Sequence, residues 1–437
     1  MKKFSRLLCA ASSVALLAFS TNALAEDGVE SLPNGDTLIT INANDSSELL
    51  TKKAERLLTP NGFAHAYDLL SQALRADSGN KKARVYANAL YSLVLNKGIL
   101  KRIKPIMERV GDNALSNYQA EISNIPNSSL KRFLLNGSED IDTATKVQAH
   151  LNAVKSAQDA FYQYIKENKN IDIEISPTIV NQGVNFRSLL TVCEVEKKSS
   201  TQYLIKRCPY TSVKTAKLGP ADMEVIRHMA AGQKISSILT TAYNLKGGVQ
   251  VAALVEQINP NDHELISDAK TKSDLGKLKS DNELAELVQM GADLVDGFEW
   301  IKGLESELCP RGSYQNNQRP GKAFSRGLCA NDTSDAQTRS IRSVVTTVEK
   351  MLAGPAFIDY YRKWDGAKQQ VLVAGREFLE NPAKDLKSIL PDTSKADNFD
   401  QCGNATQVAD TTLGGLLPNQ DGNKVLTDLG VINRPCY

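Results

Sequence analysis

Apolar residues recur every three or four positions along much of the chain between residues 47 and 168, and polar residues fill the intervals. This spacing is typical of amphipathic helices. It predicts helices over residues 97–110, 128–135 and 142–166, with a kink at Pro105 in the first of them. We therefore expect this part of the chain to form a helical bundle.

The pattern changes from helical spacing to alternation in a few short segments. Residues 37–41 alternate in this way and predict an edge strand, and residues 171–175 predict another strand. Residues 189–196 and 202–208 predict the two strands of a β-hairpin. We expect the hairpin to be a small insertion between helical regions.

Helical spacing returns in the C-terminal half, after Gly219 and Pro220. It predicts helices over residues 283–308 and 334–352. A further helix is expected to carry four aromatic residues on one buried face: Phe357, Tyr360, Tyr361 and Trp364. Glycines and prolines become frequent after about residue 381 and predict a loop-rich tail.

These patterns predict a mainly α protein with six consecutive parts. They are a signal peptide (1–25), an extended segment (26–46), a helical domain (47–168), a β-hairpin insertion (169–215), a second helical domain (216–380) and a disulfide-tied tail (381–437). The length is typical of a chain with two or three domains.

The stretch from Gly62 to Tyr91 carries a more specific pattern. The run from Ala66 to Asp77 spaces small and bulky apolar residues along one face, a turn follows over residues 77–80, and Ala83 opens a second helix. The stretch resembles a tetratricopeptide repeat (TPR), although Ser78 stands where such repeats usually have proline. The resemblance implies a helical array that presents a groove to a peptide or a partner protein. The candidate groove residues are Ala66, Leu70, Ala73 and Tyr91.

The N-terminus has the three-part layout of a secretory signal peptide. Three basic residues precede an apolar run over residues 7–19, and Ala23-Leu24-Ala25 supplies small residues before the cleavage point. The apolar run, of about 13 residues, is too short to span a bilayer as an anchor. We therefore expect cleavage after Ala25 and a periplasmic or secreted mature protein, with no integral membrane segment.

Cleavage changes the charge balance of the chain. The signal holds three of the 52 basic residues and none of the 50 acidic ones, which leaves 49 against 50. A nearly neutral chain gives no general argument for nucleic-acid binding.

Six of the seven cysteines follow the signal, and an even number in an oxidising compartment favours disulfides. We expect sequential pairing, although six cysteines allow 15 connectivities. If the hairpin turn centres on Ser200 and Thr201, the first two cysteines lie opposite each other. The expected pairs are Cys193 with Cys208, Cys309 with Cys329, and Cys402 with Cys436.

Two basic segments are candidate binding surfaces. The loop between Cys309 and Cys329 contains no acidic residue and four basic ones, namely Arg311, Arg319, Lys322 and Arg326. It is either an anion- or partner-binding loop or a solvated connection between helices. A second basic cluster lies beside an apolar helix face and is either an interface or a solvated surface: Lys97, Lys101, Arg102 and Lys104.

No residue pattern points to catalysis. The four histidines form no HExxH motif, no serine nucleophile signature occurs, and no cysteine spacing favours a metal. We therefore expect no catalytic or metal site and no cofactor. The favoured interpretation is an interaction or scaffold protein, such as an adaptor in envelope assembly or secretion, whose partner is another envelope protein or a peptide. The alternatives are a periplasmic small-molecule carrier and an enzyme with a dispersed site.

Overall fold

The computed structural model describes residues 28–137, 140–175, 192–206, 208, 216–218, 220–250, 274–303, 346–347, 349–389, 408 and 410–430. This part of the chain is mainly helical, with small antiparallel sheets. The expected signal peptide, the loop from Cys309 to Cys329 and the pair Cys402 and Cys436 lie outside the described residues.

Twelve α-helices and eight strands are defined within these residues. The helices are α1 (Ser47–Arg56), α2 (Phe63–Ala76), α3 (Lys81–Val94), α4 (Ile99–Arg102), α5 (Lys104–Val110), α6 (Asp112–Asn124), α7 (Ser129–Leu135), α8 (Ala144–Glu167), α9 (Pro220–Thr241), α10 (Asp281–Gly303), α11 (Gly375–Glu380) and α12 (Gly422–Asp428). The strands are β1 (Val29–Ser31), β2 (Thr37–Thr40), β3 (Ile173–Ile175), β4 (Glu194–Lys197), β5 (Gln202–Lys206), β6 (Ala216–Leu218), β7 (Ala356–Tyr361) and β8 (Lys368–Val373).

The six main helices pack as an ordered series in which each contacts the next: α1, α2, α3, α8, α9 and α10. Side chains of serine, asparagine and threonine cap α1, α3 and α8, since each accepts a hydrogen bond from a backbone N–H of the first turn. Ala66 and Ala73 are fully buried, and their small side chains let α2 lie close to its neighbours. The α2–α3 pair and its intervening turn are as predicted, but a TPR solenoid is not shown.

A four-stranded sheet packs against the N-terminal end of this series, with the strand order β1-β2-β5-β4. The prediction of an edge strand at residues 37–41 is wrong, because β2 lies between β1 and β5. The buried residues Ile39, Val195 and Ile205 of this sheet belong to the same core as α1 and α2. The β4–β5 hairpin is thus joined through β2 to the start of the chain.

The disulfide between Cys193 and Cys208 is confirmed, although the predicted hairpin register is off by one residue. Glu194 pairs with Lys206, so the turn centres on Ser200 and not between Ser200 and Thr201. Cys193 lies just before β4 in the left-handed region, with φ at 50°. The two Cα atoms are 4.1 Å apart, slightly closer than is usual for a disulfide.

The segment from 97 to 135 differs from its prediction in two ways. The helix expected over 97–110 is two short helices, α4 and α5, which meet at Ile103, and Pro105 lies in the first turn of α5. Helix α6 was not predicted. It has no buried residue, and the apolar periodicity of its sequence is correspondingly weak.

A buried ion pair lies within α9, and its arginine also contacts α8 and α10. The Arg227 Nε atom donates to both carboxylate oxygens of Glu224 at 2.9 and 3.0 Å, and the side chains are 7% and 4% exposed. Burial lowers the pKa of Arg227, but the hydrogen bonds and the electrostatic attraction from Glu224 and Tyr162 together outweigh it, and the net shift is upward. Arg227 also donates to the carbonyl oxygen of Asp293 on α10 at 2.7 Å and to the Tyr162 hydroxyl on α8 at 3.4 Å. One guanidinium therefore contacts all three helices.

A second buried cation lies along the same interface. Lys234 of α9 is 4% exposed and pairs with Asp159 of α8 at 2.5 Å and with Glu286 of α10. Its ammonium also lies 5.3 Å from the ring centroid of Tyr162. Both cations thus have partners on both neighbouring helices.

We expect Gly297→Ala to lower the free energy of unfolding by about 2 to 4 kcal/mol, because a Cβ there would overlap the Glu224 carboxylate and displace the buried pair. The Glu224 Cδ atom alone would lie 2.8 Å from that Cβ. Urea unfolding is the measurement. The control is Gly232→Ala on α9, where a Cβ meets nothing within 4 Å and alanine favours the helix by up to about 1 kcal/mol. Equal effects at the two glycines would contradict this packing.

Replacement of both Cys193 and Cys208 by alanine is expected to lower the free energy of unfolding by about 3 kcal/mol, since the bond closes a loop with a sequence separation of 15. Urea unfolding measures the change. Peptide mapping of the unreduced protein should recover the two residues in one linked fragment. Linkage of either residue to another cysteine would refute the pairing.

Candidate functional site

Strands β7 and β8 form a two-stranded antiparallel sheet near the C-terminus, in register from Ala356 opposite Val373 to Tyr361 opposite Lys368. The prediction of a helix with a buried aromatic face here is wrong. Along β7 intermediate and exposed residues alternate, as expected for a strand. Residues 363–366 form the turn, and Gly366 has a positive φ of 69°.

The inner face of this hairpin packs on a small separate core. Val371 is buried with Leu417 and Val425, and Tyr360 packs against them. The backbone N–H of Ala374 donates to the carbonyl oxygen of Leu416 at 2.9 Å. The hairpin is therefore held by the segment that contains α12.

A polar cluster fixes the hairpin to α12. The Tyr360 hydroxyl donates to the buried Asp428 carboxylate at 2.7 Å, and the Lys424 ammonium donates to that hydroxyl at 3.1 Å. Burial and then the hydrogen bond to Asp428 raise the pKa of Tyr360. The Lys363 N–H donates to the carbonyl oxygen of Asp428 at 2.8 Å, so the turn is attached at the same place.

The outer face and the turn expose large apolar side chains. Phe357 is 61% exposed, Tyr361 is 63% exposed and Trp364 is 37% exposed. Leu429, which directly follows α12, is 44% exposed. These are four of the six large apolar residues that are exposed in the described part of the chain. We call these four residues the aromatic patch.

The charged groups of the outer face are paired with one another. The Asp359 carboxylate, between Phe357 and Tyr361, accepts hydrogen bonds from Lys368 and Gln370, both at 2.8 Å. Arg362 pairs with Asp365 at 2.6 Å, and its guanidinium lies 5.7 Å from the ring of Trp364. The patch therefore combines exposed aromatic rings with oriented polar groups and little unbalanced charge.

This arrangement has the composition of a protein-binding surface. Contiguous exposed apolar patches with polar surroundings mark interaction sites, and tryptophan, tyrosine and arginine are enriched among the residues that dominate binding energies. The aromatic residues stand out in the sequence, but their spacing of three, one and three residues fits a helix as well as a strand. The Asp365-Gly366 dipeptide, followed by the apolar run Val371-Leu372-Val373, is the signal that would have favoured a hairpin.

The four predicted groove residues differ in their exposure to solvent. Ala66, Leu70 and Ala73 are fully buried between helices. Tyr91 is 42% exposed and stacks on Tyr67, with ring centroids 5.9 Å apart. Only Tyr91 of the four is open to a partner. The basic-loop residues Arg311, Arg319, Lys322 and Arg326 lie outside the described residues, so that prediction stays untested.

Two of the four histidines, His65 and His150, are partly buried. His65 is packed against Tyr203, and burial lowers its pKa; burial also lowers the pKa of His150. The described residues contain no group of three or more histidine, cysteine or acidic side chains that could hold a metal ion. No described helix is both long enough and apolar enough to cross a membrane.

No family model matches the chain, and comparison with curated proteins and with solved structures finds no significant match.

We expect Tyr360→Phe to weaken the attachment of the hairpin by about 1 to 2 kcal/mol, because the buried Asp428 carboxylate loses a donor. Hydrogen exchange of the β7 and β8 amides measures this local change. The neighbouring variant Tyr361→Phe is the control, since its ring points to solvent and exchange should not change. Unaltered protection in Tyr360→Phe would contradict the anchoring role.

Proposed function

We propose that this protein is an exported interaction or scaffold protein, active in the periplasm or outside the cell, and that its aromatic patch binds a partner protein. The observation that carries the proposal is the exposure of Phe357, Tyr361, Trp364 and Leu429 on one small unit. Exposed aromatic side chains lower solubility unless a partner covers them, so such exposure favours a binding role.

The way in which the patch is built supports the proposal. The inner face of the hairpin is held by Tyr360, Lys424 and Asp428, so the outer face is oriented before a partner arrives. Preorganisation reduces the entropy that binding costs. The Asp359 carboxylate already has two donors, so a partner that covers it does not leave it unpaired.

Two further features agree with a scaffold outside the cytoplasm. The Cys193–Cys208 bond suits an oxidising compartment, as the signal-like N-terminus does. The ordered series from α1 to α10 suits a rigid support, and the TPR-like α2–α3 pair is consistent with an adaptor in envelope assembly or secretion.

The test is site-specific photo-crosslinking in the cells that make the protein, with a crosslinking phenylalanine analogue at position 361. We expect one defined protein adduct. The control position is Leu239 on α9, which is 51% exposed and belongs to another part of the surface. The adduct should disappear when Phe357→Ser is added.

The captured partner is then purified and its affinity for the unmodified protein is measured. We expect Phe357→Ser to weaken binding about 30-fold or more, which corresponds to a loss of about 2 kcal/mol for a dominant aromatic contact. Leu239→Ser should leave the affinity unchanged. The proposal fails if position 361 gives no protein adduct, or if positions 239 and 361 give the same adducts.

A further inference from the structure

An open groove of about 340 Å³ lies between α6 and the helices on either side of it in the chain. Its apolar wall is formed by Tyr118 and Ile122, one turn apart on α6, together with Leu135 at the end of α7. Lys101 of α4 and Lys104 at the start of α5 also line it. The groove thus has an apolar wall and a cationic rim.

The fold covers the apolar wall only in part. Helix α6 is 13 residues long and contains no fully buried residue, and Tyr118 and Ile122 are partly buried. Burial nevertheless raises the pKa of Tyr118, with a smaller contribution from the charge of Glu108. The side of α6 that faces the groove therefore offers apolar surface that a ligand can cover.

The charge around the groove favours an anion. Residues 97–135 contain seven basic and three acidic residues, in a chain that is otherwise nearly balanced. Lys104 pairs with Glu108 at 3.0 Å, but both side chains are about half exposed, and exposed pairs of this kind contribute little. Lys104 can therefore exchange Glu108 for a ligand carboxylate at little cost.

The size of the groove selects among anionic ligands. A volume of about 340 Å³ lies in the range of pockets that bind small molecules and is too small for a partner helix, which is about 10 Å wide with its side chains. Only a narrow ligand can contact both the lysines and the apolar wall.

We propose that this groove binds a free single-chain amphiphilic anion, namely a medium- or long-chain carboxylate. Its carboxylate lies between the ammonium groups of Lys101 and Lys104, and its alkyl chain lies along Tyr118, Ile122 and Leu135. The site is separate from the aromatic patch and does not depend on the function proposed for that patch.

Decanoate is the probe, added to the full-length mature protein below its micelle concentration and followed by calorimetry. Decanol lacks the charge and butanoate lacks the long chain, so each ligand removes one of the two contacts. We expect decanoate to bind with one-to-one stoichiometry and at least tenfold more tightly than either. Equal affinity for decanol, or the uptake of many molecules per chain, would overturn the proposal.

Protein variants locate the site. The double variant Lys101→Gln/Lys104→Gln should weaken decanoate binding about tenfold, whereas the control Lys81→Gln, an exposed lysine at the start of α3, should not change it. Ile122→Ser should weaken decanoate binding but leave butanoate unchanged. If Ile122→Ser does not fold, the lysine variants and the three ligands still decide the matter.

Two alternative ligand classes are tested in parallel with the same variants. One arm uses vesicles that contain an anionic phospholipid, and the other uses an acidic amphipathic peptide. The proposal is overturned if either of these binds in a manner that depends on Lys101 and Lys104 while decanoate does not bind.

Discussion

The buried ion pair between Glu224 and Arg227 is the interaction on which the arrangement of the long helices depends. Two charges removed from water are stable only when their hydrogen-bonding capacity is filled, and Arg227 fills it with groups from α8, α9 and α10. Gly297 allows this approach, because any larger residue on α10 would occupy the space of the pair. A shift of one helix along another would leave a charge unpaired, so the pair fixes the register of all three helices.

The first helices are fixed by similar means. Glu55 of α1 accepts a hydrogen bond from the Tyr86 hydroxyl at 2.7 Å and pairs with Lys82 at 2.8 Å, both on α3. Lys53 pairs with Asp45 at 2.5 Å, and both side chains are almost fully buried. Polar contacts thus set the register at both ends of the series, while alanines and leucines fill the space between.

Helices could be predicted from the sequence where one face is buried, because burial makes apolar residues recur at a fixed spacing. One face is apolar in each of the helices that could be predicted, namely α2, α3, α7 and α8. The cysteine pair could be predicted because the two cysteines lie at equal distances from the expected turn. The register error arose from the left-handed Cys193, which the spacing alone does not reveal. Helix α6 left little apolar signal because none of its residues is fully buried. The hairpin at 356–373 was mistaken for a helix because its exposed aromatic residues obscured the alternation. Both candidate sites therefore lie where the apolar residues are not in the core.

In the proposed function, binding at the aromatic patch is linked to the stability of the hairpin that carries it. Two-stranded sheets are marginally stable alone, and this one has a core of only a few residues, among them Val371, Leu417 and Val425. A partner that binds only the formed hairpin stabilises it by RT ln(1 + [L]/Kd), about 2.7 kcal/mol at a hundredfold excess over Kd. The Tyr360–Asp428 anchor raises the fraction of molecules that already hold the binding-competent form, and the apparent affinity improves by the same factor. A polar contact on the inner face thereby sets the affinity of an apolar surface on the outer one, although the two faces share no partner.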